Sequence, residues 1–408
     1  HNLKSFVYKT ENFETYKGVE CVVVDIVPRK NSKAICSGCL KPGATYDHQR
    51  EARYFEFVPL WGIAIYLRYV MRRVNCTRCS VKVEQVPWSE GKSHLTKAYQ
   101  LFLARWARRL SWKETAEVFS TRWDTVYRAV RYVVNYGLKH RDLSAIESIG
   151  VDEIQHGKGH QYLTLVYQID QGSKRLLGVS KARTIKSFLR CLREIGKENL
   201  AQVKYVCSDM WPAYLKVIKK KFPNALHVLD RFHIVKKLNE AVDQVRRDER
   251  KKMALDGYNP ILKNTKYCFL KNQENLTVNQ KEKLDELLQY DLKSIRAYLL
   301  KESFQAFWHY TYPAWSRKYL RLWCARAMRS QLEPMKKFVK TVRKDEDLMM
   351  NWFKAKKCYS SGAVEGLNRK INLVTRKAYG YKSYDVLKIA LFHTMGGLPE
   401  PKMTHRFC

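Results

Sequence analysis

Three carboxylate residues stand at positions from which their side chains could share one metal site. Asp152 lies in a strand-like run, Asp209 directly follows another, and Glu365 lies in a helix-like stretch. A carboxylate at the C-terminal end of a strand opens onto a crevice, and carboxylate oxygens are the hard ligands that Mg²⁺ prefers. Two Mg²⁺ ions about 3.5–4 Å apart can activate a water and relieve charge on a leaving oxygen, as phosphodiester cleavage requires. By spacing alone, the same acids could equally be solvated or salt-bridged.

The residues around these acids restrict which of them can share a site. Side chains alternate along a strand, so Asp152 and Glu153 are predicted to face opposite ways, and only one of them can join a given site. At about 100° per residue, the helix after Gly362 separates into a polar and an apolar stripe. The polar stripe contains Glu365, Asn368, Arg369, Asn372 and Arg376. The apolar stripe contains Val364, Leu367, Ile371 and Val374. The polar stripe suits metal ligation beside phosphate contacts.

Four of the eleven cysteines form two Cys-x-x-Cys pairs, Cys36 with Cys39 and Cys76 with Cys79. Each pair can present two thiolates to one tetrahedral ion, and the strand-prone stretch between the pairs, read as a hairpin, would bring them together. This pattern predicts a structural Zn²⁺ without a catalytic role, with disulfides or unused thiols as the alternatives. The other cysteines are predicted to be small buried hydrophobes. They are Cys21, Cys191, Cys207, Cys268, Cys324, Cys358 and Cys408.

Residues 94–137 have the outline of a helix-turn-helix domain. Apolar residues recur at near-helical spacing, and Ser111 with Glu114 three residues later forms a capping box at the start of a short second helix. A third helix is expected to begin near Thr121, with Asp124 at its third position. It carries Arg122, Arg128 and Arg131, which could meet phosphates or base edges in a major groove. The alternative is an ordinary three-helix packing unit whose arginines are solvated.

The strands and helices that must position the acids follow. Three successive strands are predicted at 149–154, 161–169 and 175–180, then a helix at 184–195, strands at 203–208 and 226–229, and a short helix after Pro212. This order indicates a mixed sheet with helices on its faces. Residues 234–358 read as a basic helical insertion. Its tryptophans could stack on unpaired bases, but their spacing favours a core. They are Trp308, Trp315, Trp323 and Trp352.

The charge of the chain indicates a polyanionic partner. Its 76 Lys and Arg against 39 Asp and Glu give a formal net charge of +37, and nucleic acid is the commonest polyanion. A basic but unspecialised surface, or a ribosome-associated protein, is the alternative. We predict no membrane-spanning segment and, from the odd number of cysteines, a reducing compartment such as the cytoplasm. His1–Lys4 lack a signal-peptide pattern and a starting Met, so we expect the numbering to begin inside the encoded chain.

Several stretches resemble, in order, the insertion-sequence transposases of the ISL-three type. They are VDE (151–153), KGHQY (158–162), SDMWPAY (208–214), FPNA (222–225), VLDRFH (228–233), GAVEGLNRKI (362–371) and RKAYGY (376–381). With the cysteine pairs they span nearly the whole chain. The pair Gly362-Ala363 departs slightly from the family's commoner Asn-Gly before the glutamate helix. The helical insertion is the part that matches least.

The resemblance implies a multidomain α+β protein with a zinc ribbon, a helix-turn-helix domain and an RNase H-like mixed α/β catalytic domain interrupted by a helical insertion. Asp152, Asp209 and Glu365 take the places of the family's acidic triad, holding two Mg²⁺ or Mn²⁺ ions. Asp230 and His233 match an accessory segment, in which His233 either orients a phosphate or is a structural histidine. The expected domains are 1–92, 93–142, 143–235 with 355–408, and the insertion 236–354.

The implied reaction is cleavage at the terminal inverted repeats of an insertion sequence, followed by joining of the freed 3′-hydroxyl to target DNA. The partners are therefore double-stranded DNA and, because two ends are handled together, a second copy of the chain or a higher assembly. No membrane partner is expected. Two alternatives stay open: an RNase H-like nuclease or resolvase that cuts without joining, and a zinc-ribbon DNA-binding regulator derived from a transposase.

Overall fold

The computed structural model describes residue 3 and residues 5–157, 159–258, 261–357, 362–378, 380–381 and 383–402. Several residues considered above, among them Lys158, Cys358, Tyr379 and Cys408, lie outside the described residues. The chain forms two compact units, one from residues 1–142 with 371–408 and one from residues 143–370. No helix in the described part of the chain is long and apolar enough to span a membrane.

The first unit begins with two antiparallel-rich sheets. Their strands are β1 (Phe6–Tyr16), β2 (Val19–Pro28), β3 (Ala34–Ile35), β4 (Pro42–His48), β5 (Arg53–Leu60), β6 (Ile63–Tyr69), β7 (Arg72–Cys76) and β8 (Ser80–Val83). One sheet has the order β1-β2-β6-β5 and the other β3-β4-β7-β8. The strand-prone stretch predicted between the two cysteine pairs is confirmed, since it contains the hairpin β5–β6. The sheet order shows that the hairpin β5–β6 belongs to the first sheet, so pairing of β4 with β7 brings the two cysteine pairs together.

Three helices follow in the first unit: α1 (Lys97–Arg109), α2 (Trp112–Val118) and α3 (Trp123–His140). The predicted capping box of α2 is confirmed, because the Ser111 hydroxyl accepts from the Glu114 N–H at 3.2 Å and the Glu114 carboxylate accepts from the Ser111 N–H at 2.7 Å. The prediction that α3 begins near Thr121 is confirmed to within two residues, because the helix begins at Trp123, without a side-chain cap. Asp124 is its second residue, not the predicted third, and pairs with Arg128 one turn later.

The second unit contains a five-stranded mixed sheet. Its strands are β9 (Ser148–Gly157), β10 (Gln161–Asp170), β11 (Ser173–Lys181), β12 (Tyr205–Ser208) and β13 (Leu226–Leu229), in the order β11-β10-β9-β12-β13. The first three strands form an antiparallel meander, and β12 runs parallel to both β9 and β13. The helices beside the sheet are α4 (Ile185–Ile195), α5 (Lys197–Ala201) and α6 (Pro212–Lys221). The predicted strands and helices of this segment are confirmed.

Alternation along the strands gives this sheet two different faces. Val151 of β9 and Val206 of β12 are buried in one hydrophobic cluster with Phe188 of α4 and Tyr214 of α6. Since Val151 faces α4 and α6, its neighbours Gly150 and Asp152 face the opposite side of the sheet. Fully burying side chains of this size contributes about 1.5–3 kcal/mol each, so this cluster holds β9 and β12 in register.

Seven helices follow the sheet in the second unit. They are α7 (Arg231–Leu255), α8 (Lys266–Leu270), α9 (Val278–Leu287), α10 (Lys293–Gln305), α11 (Pro313–Arg329), α12 (Glu333–Lys344) and α13 (Glu346–Lys354). The prediction that their tryptophans form a core is confirmed for Trp308, Trp323 and Trp352, which are buried. It is wrong for Trp315, which is 58% exposed in the first turn of α11.

Two helices complete the described chain: α14 (Gly362–Lys377) and α15 (Tyr384–Met395). The predicted apolar stripe of α14 is confirmed, because Val364, Leu367 and Ile371 are buried. Val364 packs directly on β9, where a Cβ built on Gly150 would lie 2.6 Å from its Cγ2 atom. Gly150 is therefore needed for the close approach of the helix to the strand that carries Asp152.

Candidate active site and metal centre

Three aspartates lie at the same level of the sheet, Asp152 within β9, Asp209 directly after β12 and Asp230 directly after β13, and these three neighbouring strands are parallel. The register of β9 and β12 pairs Ser148 with Tyr205 and Gly150 with Cys207, so its continuation places Asp152 level with Asp209. Asp230 follows β13 in the same way, and its N–H donates to the Ser208 carbonyl at 2.8 Å. Asp209 and Asp230 are 9% and 8% exposed. The sheet therefore concentrates the carboxylates of Asp152, Asp209 and Asp230 in one place, here called the acidic edge. Negative charge is costly there unless a cation joins it.

Asp152 is held from the side of α14. Its Oδ2 atom accepts from Asn368 Nδ2 at 2.7 Å, and the Tyr167 hydroxyl donates to Asn368 Oδ1 at 2.6 Å. Burial raises the pKa of Asp152, and the charge of Asp230 adds to the shift, while the Glu153 N–H, His233 and Asn368 oppose it. Among the described residues no ion pair neutralises Asp152. Its carboxylate is thus oriented by hydrogen bonds and lacks a direct cationic partner in that part of the chain.

Glu365 lies one turn before Asn368 on α14, but its carboxylate is engaged elsewhere. It accepts from Arg369 at 2.7 Å, and its side chain is 43% exposed. In the described part of the chain, the ligand atoms of Asp152, Asp209 and Glu365 do not all lie within 4.8 Å of one another. The structure thus brings the helix of Glu365 to Asp152 through Asn368, while the Glu365 carboxylate itself stays with Arg369.

Asp209 is contacted by an arginine that sequence reasoning missed. Arg183 Nη2 lies 3.4 Å from Asp209 Oδ2, its Nε pairs with Glu153 Oε1, and its guanidinium carbon lies 4.8 Å from the centroid of the Trp211 ring. The other oxygen of Asp209 accepts from the Trp211 N–H at 2.9 Å. Arg183 precedes α4 in a run of basic residues, and its type and spacing carried no signal that separated it from its neighbours.

The prediction that Asp152 and Glu153 face opposite sides of the sheet is confirmed, because Asp152 bonds Asn368 of α14 and Glu153 pairs with Arg183 before α4. That only one of them joins a given site stays a prediction. Glu153 shares Arg183 with Asp209. Burial raises the pKa of Glu153 to about 7, and the negative charge of Asp209 contributes. Glu153 is therefore a fourth acid of this edge.

Asp230 and His233 form one hydrogen-bonded pair at the start of α7. The Asp230 carboxylate caps the helix by accepting from the Phe232 N–H at 2.7 Å, and its other oxygen lies 2.6 Å from His233 Nδ1. Burial alone would lower the pKa of His233, but the hydrogen bond and charge of Asp230, with the charges of Asp152 and Asp209, raise it above its usual value. The structure therefore places this pair beside the aspartates.

The four paired cysteines converge in the first unit. Their sulfur atoms all lie within 4.8 Å of one another, and Cys39 Sγ is 3.6 Å from Cys76 Sγ. Four thiolates around one Zn²⁺ at about 2.3 Å have sulfurs about 3.8 Å apart, so this spacing fits a tetrahedral ion. The backbone N–H groups of Arg78 and Cys79 lower the pKa of Cys76 to about 7.

All nine cysteines in the described ranges are free, so the disulfide alternative is wrong for them. The prediction that the scattered cysteines are buried is confirmed for those the structure describes. They are Cys21, Cys191, Cys207, Cys268 and Cys324. Cys358 and Cys408 lie outside the described residues.

The cations predicted to meet DNA lie at the surface. Arg122, Arg128 and Arg131 are exposed on or beside α3, where Arg128 pairs with Asp124 at 2.9 Å and the Arg131 guanidinium lies over the Tyr127 ring. On α14, Arg369, Asn372 and Arg376 are exposed, and Asn368 is half-buried because it bonds Asp152. Their contact with DNA stays a prediction.

Comparisons with known proteins match this chain to one family. The family model for DDE transposases of the ISL3 type, described as a transposase, matches residues 149–391. The transposase for insertion sequence element IS1001 of Bordetella parapertussis is 26% identical over 347 residues, covering 84% of this chain and 84% of the relative. The transposase for insertion sequence element IS1557 of Mycobacterium tuberculosis is 27% identical over 402 residues, covering 92% and 89%.

The matched range contains Asp152, Asp209, Asp230 and Glu365. It covers more than half of the chain, and the matches to both relatives are longer than the second unit, so they include part of the first unit as well. These matches agree with the resemblance seen in the sequence motifs. The chain belongs to the ISL3-type insertion-sequence transposases.

Proposed function

We propose that this chain cleaves DNA at the ends of its insertion sequence and joins the freed ends to target DNA, with Asp152, Asp209 and Glu365 as the metal-binding triad. One observation carries the proposal. Asp152 on β9 lies level with Asp209, which directly follows the adjacent parallel strand β12, and Asn368, one turn from Glu365, is bonded to Asp152. Two acids are thus side by side, and the helix of the third is fixed against them.

The domain assignment is part of the same proposal. A five-stranded sheet with three antiparallel strands followed by two parallel ones, in the order β11-β10-β9-β12-β13, supports an RNase H-like catalytic core. The helices α7 to α13 then form the insertion between the strands and α14. The cysteine-bearing sheets and α1 to α3 correspond to the proposed zinc ribbon and helix-turn-helix domains, whose exposed arginines Arg122, Arg128 and Arg131 would read the terminal repeats.

The acidic edge fits a pair of Mg²⁺ or Mn²⁺ ions. Mg²⁺ takes carboxylate oxygens, and the half-buried Asp152 and the buried Asp209 supply them, with Asp230 and Glu153 adding negative charge at the same edge. Bound there, the ions would lower the pKa of an attacking water or hydroxyl and stabilise the leaving oxygen. The whole chain has a formal net charge of +37, but at this edge the ion pairs among the described residues are those of Arg183 with Glu153 and Asp209 and of His233 with Asp230.

The protein's own residues would orient the acids and the DNA. Asn368 holds the Asp152 carboxylate in place, and Arg183 with the Trp211 N–H holds that of Asp209. Glu365 would join them by releasing Arg369, which could then pair with a DNA phosphate. Asp230 would keep the His233 ring fixed at the site as an accessory group. Water attack on the end phosphodiester leaves a 3′-hydroxyl, and that hydroxyl then displaces a target 3′-oxygen in a transesterification.

A strand-transfer assay tests the proposal against its alternatives. Duplexes with the element's terminal repeats are incubated with a target plasmid and Mg²⁺, and the products are separated on a denaturing gel. Joined product, formed as well from ends that already carry a free 3′-hydroxyl, is the expected result. Cleavage without joined product would favour a nuclease or resolvase. Repeat binding with no cleavage in Mg²⁺ or Mn²⁺ would favour a DNA-binding regulator.

A further inference from the structure

A cationic groove in the second unit lies outside the acidic edge. It has a volume of about 1090 Å³ and is lined by α4, α5 and the residues at the end of α6. Seven of its lining residues are Lys or Arg, and none of the described residues that line it is acidic. Six of the seven are Lys186, Arg190, Arg193, Lys197, Lys220 and Lys221. All six are exposed, and no ion pair involves them among the described residues.

The arrangement of these cations is ordered. Lys186, Arg190 and Arg193 follow one another at helical steps of four and three residues on α4, so they share one face, with neighbouring side chains about 5–6 Å apart. Lys197 continues the row on α5. The opposite face of α4 packs into the core through Phe188. The row therefore runs along the groove for about 10 Å from Lys186 to Arg193 at the helical rise of about 1.5 Å per residue.

The floor of the groove is apolar, and one end of the groove adjoins the acidic edge. Leu189 and Leu200 line it between the cations. Residues on both sides of Arg183 in the chain, Ala182 and Thr184, also line it, and Arg183 itself contacts Asp209. A polyanionic strand that leaves the acidic edge would thus meet a row of unpaired cations above an apolar surface.

We infer that this groove binds the phosphates of a single DNA strand next to the scissile phosphodiester, with the bases on its apolar floor. Proteins that bind unpaired strands combine a cationic groove along the backbone with surfaces for the bases, most often aromatic ones; in this groove Leu189 and Leu200 supply that surface. The inference rests on the proposed function in taking DNA as the ligand. The strand comes either from the DNA flanking the element or from the target, which have the same chemistry.

The test removes three charges and compares two matched variants of the full chain. The groove variant is Lys186→Gln/Arg190→Gln/Arg193→Gln. The control variant is Lys337→Gln/Lys340→Gln/Lys344→Gln, which removes three exposed charges from α12, away from the groove. Binding of a single-stranded oligothymidylate is measured without divalent metal between about 50 and 200 mM salt. Losing three phosphate contacts reduces the slope of log affinity against log salt concentration by about 2. Over this fourfold range of salt, the affinity of the wild type and of the control should therefore fall about 20-fold more than that of the groove variant.

Two further probes identify the source of the strand. If it is the flank, a single-stranded extension beyond the terminal repeat strengthens binding by the wild type and the control but not by the groove variant. If it is the target, the groove variant binds extended ends normally and captures a gapped target duplex more weakly than the control. Equal behaviour of the groove and control variants on all three probes would overturn the inference. A single Arg190→Lys change, which keeps the charge, should bind as the wild type does.

These binding measurements need no catalysis, so their outcome is separate from that of the proposed function. A wild type that fails to cut or join in Mg²⁺ would refute the proposed chemistry and leave the groove result standing. Equal thermal unfolding of the two variants would show that any difference in binding does not come from misfolding.

Discussion

Removal of zinc is predicted to unfold the sheet β3-β4-β7-β8 while leaving the sheet of the second unit intact. The hydrophobic cluster beside the thiols has three buried members, Ala34, Cys36 and Val74. Full burial of a side chain such as valine contributes about 1.5–3 kcal/mol, whereas structural zinc sites bind with apparent free energies of about 10–16 kcal/mol near neutral pH. The metal would therefore dominate the local stability of this sheet. The free energy lost with the zinc should be larger than the stabilisation that burial of the three side chains provides.

Hydrogen exchange with mass spectrometry provides the measurement. After chelation, amide protection in β4 and β7 should fall at least about a hundredfold, since even about 3 kcal/mol of lost local stability corresponds to two factors of ten. Protection in β9 and β12 should not change. Cys39→Ser should reproduce the loss without a chelator. Cys21→Ser, a change at a buried cysteine outside the cluster, should not. A protein containing no zinc, or unchanged exchange in β4 and β7 after chelation, would refute this reasoning.

Three further predictions concern the acidic edge. Arg183→Gln leaves Glu153 and Asp209 without their shared cation. It should lower the free energy of unfolding, measured in urea without metal at pH 8, by about 1–3 kcal/mol, which is less than for a fully buried pair because Arg183 is partly exposed. Arg183→Lys should recover part of this stability, and an unchanged urea midpoint of Arg183→Gln would contradict the pairing. Because the pKa of Glu153 is raised to about 7, its stabilising contribution is full below its ordinary pKa and is lost as pH rises through about 7. Metal-free wild type should therefore lose up to about 3 kcal/mol over that window and Glu153→Gln much less, so parallel pH profiles would sink the assignment. Asn368→Leu, which removes the donor to Asp152, should slow cleavage about 10–100-fold and leave the thermal unfolding midpoint unchanged. Asn368→Asp should be slower still, because it places a second carboxylate against that of Asp152. A fully active Asn368→Asp would contradict this role.

Periodic and local patterns predicted much of the fold. The strand-prone runs of β9 to β11 and the capping box at Ser111 depend on neighbours within a few residues and are confirmed, as is the apolar stripe of α14, of which Val364, Leu367 and Ile371 are buried and Val374 is half-buried. Strand β1 was not predicted, because its mostly exposed side chains give no alternation of polar and apolar residues. The turn that joins β1 to β2 is indicated in the sequence by Gly18. Lys17 and Gly18 both have positive φ there, a conformation that glycine adopts readily.

The sequence predicts which residues belong to the site but not which side chains contact one another there. The strand ends and the family motifs indicate Asp152, Asp209 and Glu365, but nothing local reveals that Arg183 bridges Glu153 and Asp209, because that contact joins residues far apart in the chain. The alternation rule applied to β9 predicts that Asp152 and Glu153 face opposite ways, and their different partners, Asn368 and Arg183, agree with it.

The pairing of Glu365 with Arg369 was also not predicted, although the two residues are close in the chain. The helical wheel places both on one polar stripe, and residues four apart on a helix can pair with each other as readily as with a ligand. Sequence therefore identified the helix that approaches Asp152 but not the state of its glutamate.

Metal-dependent cleavage by Asp209→Asn tests the central claim most directly. The substrate is a duplex that carries a terminal repeat and its flank, and the control is Asp285→Asn, which alters an exposed aspartate of α9. Both variants should bind the repeat as the wild type does. With Mg²⁺, the wild type and the control should cut at equal rates, and Asp209→Asn should be slower by at least about a hundredfold, since loss of groups that only support a metal ligand already costs about 10–100-fold. Cleavage by Asp209→Asn at the wild-type rate, with the same dependence on Mg²⁺, would contradict the proposed triad.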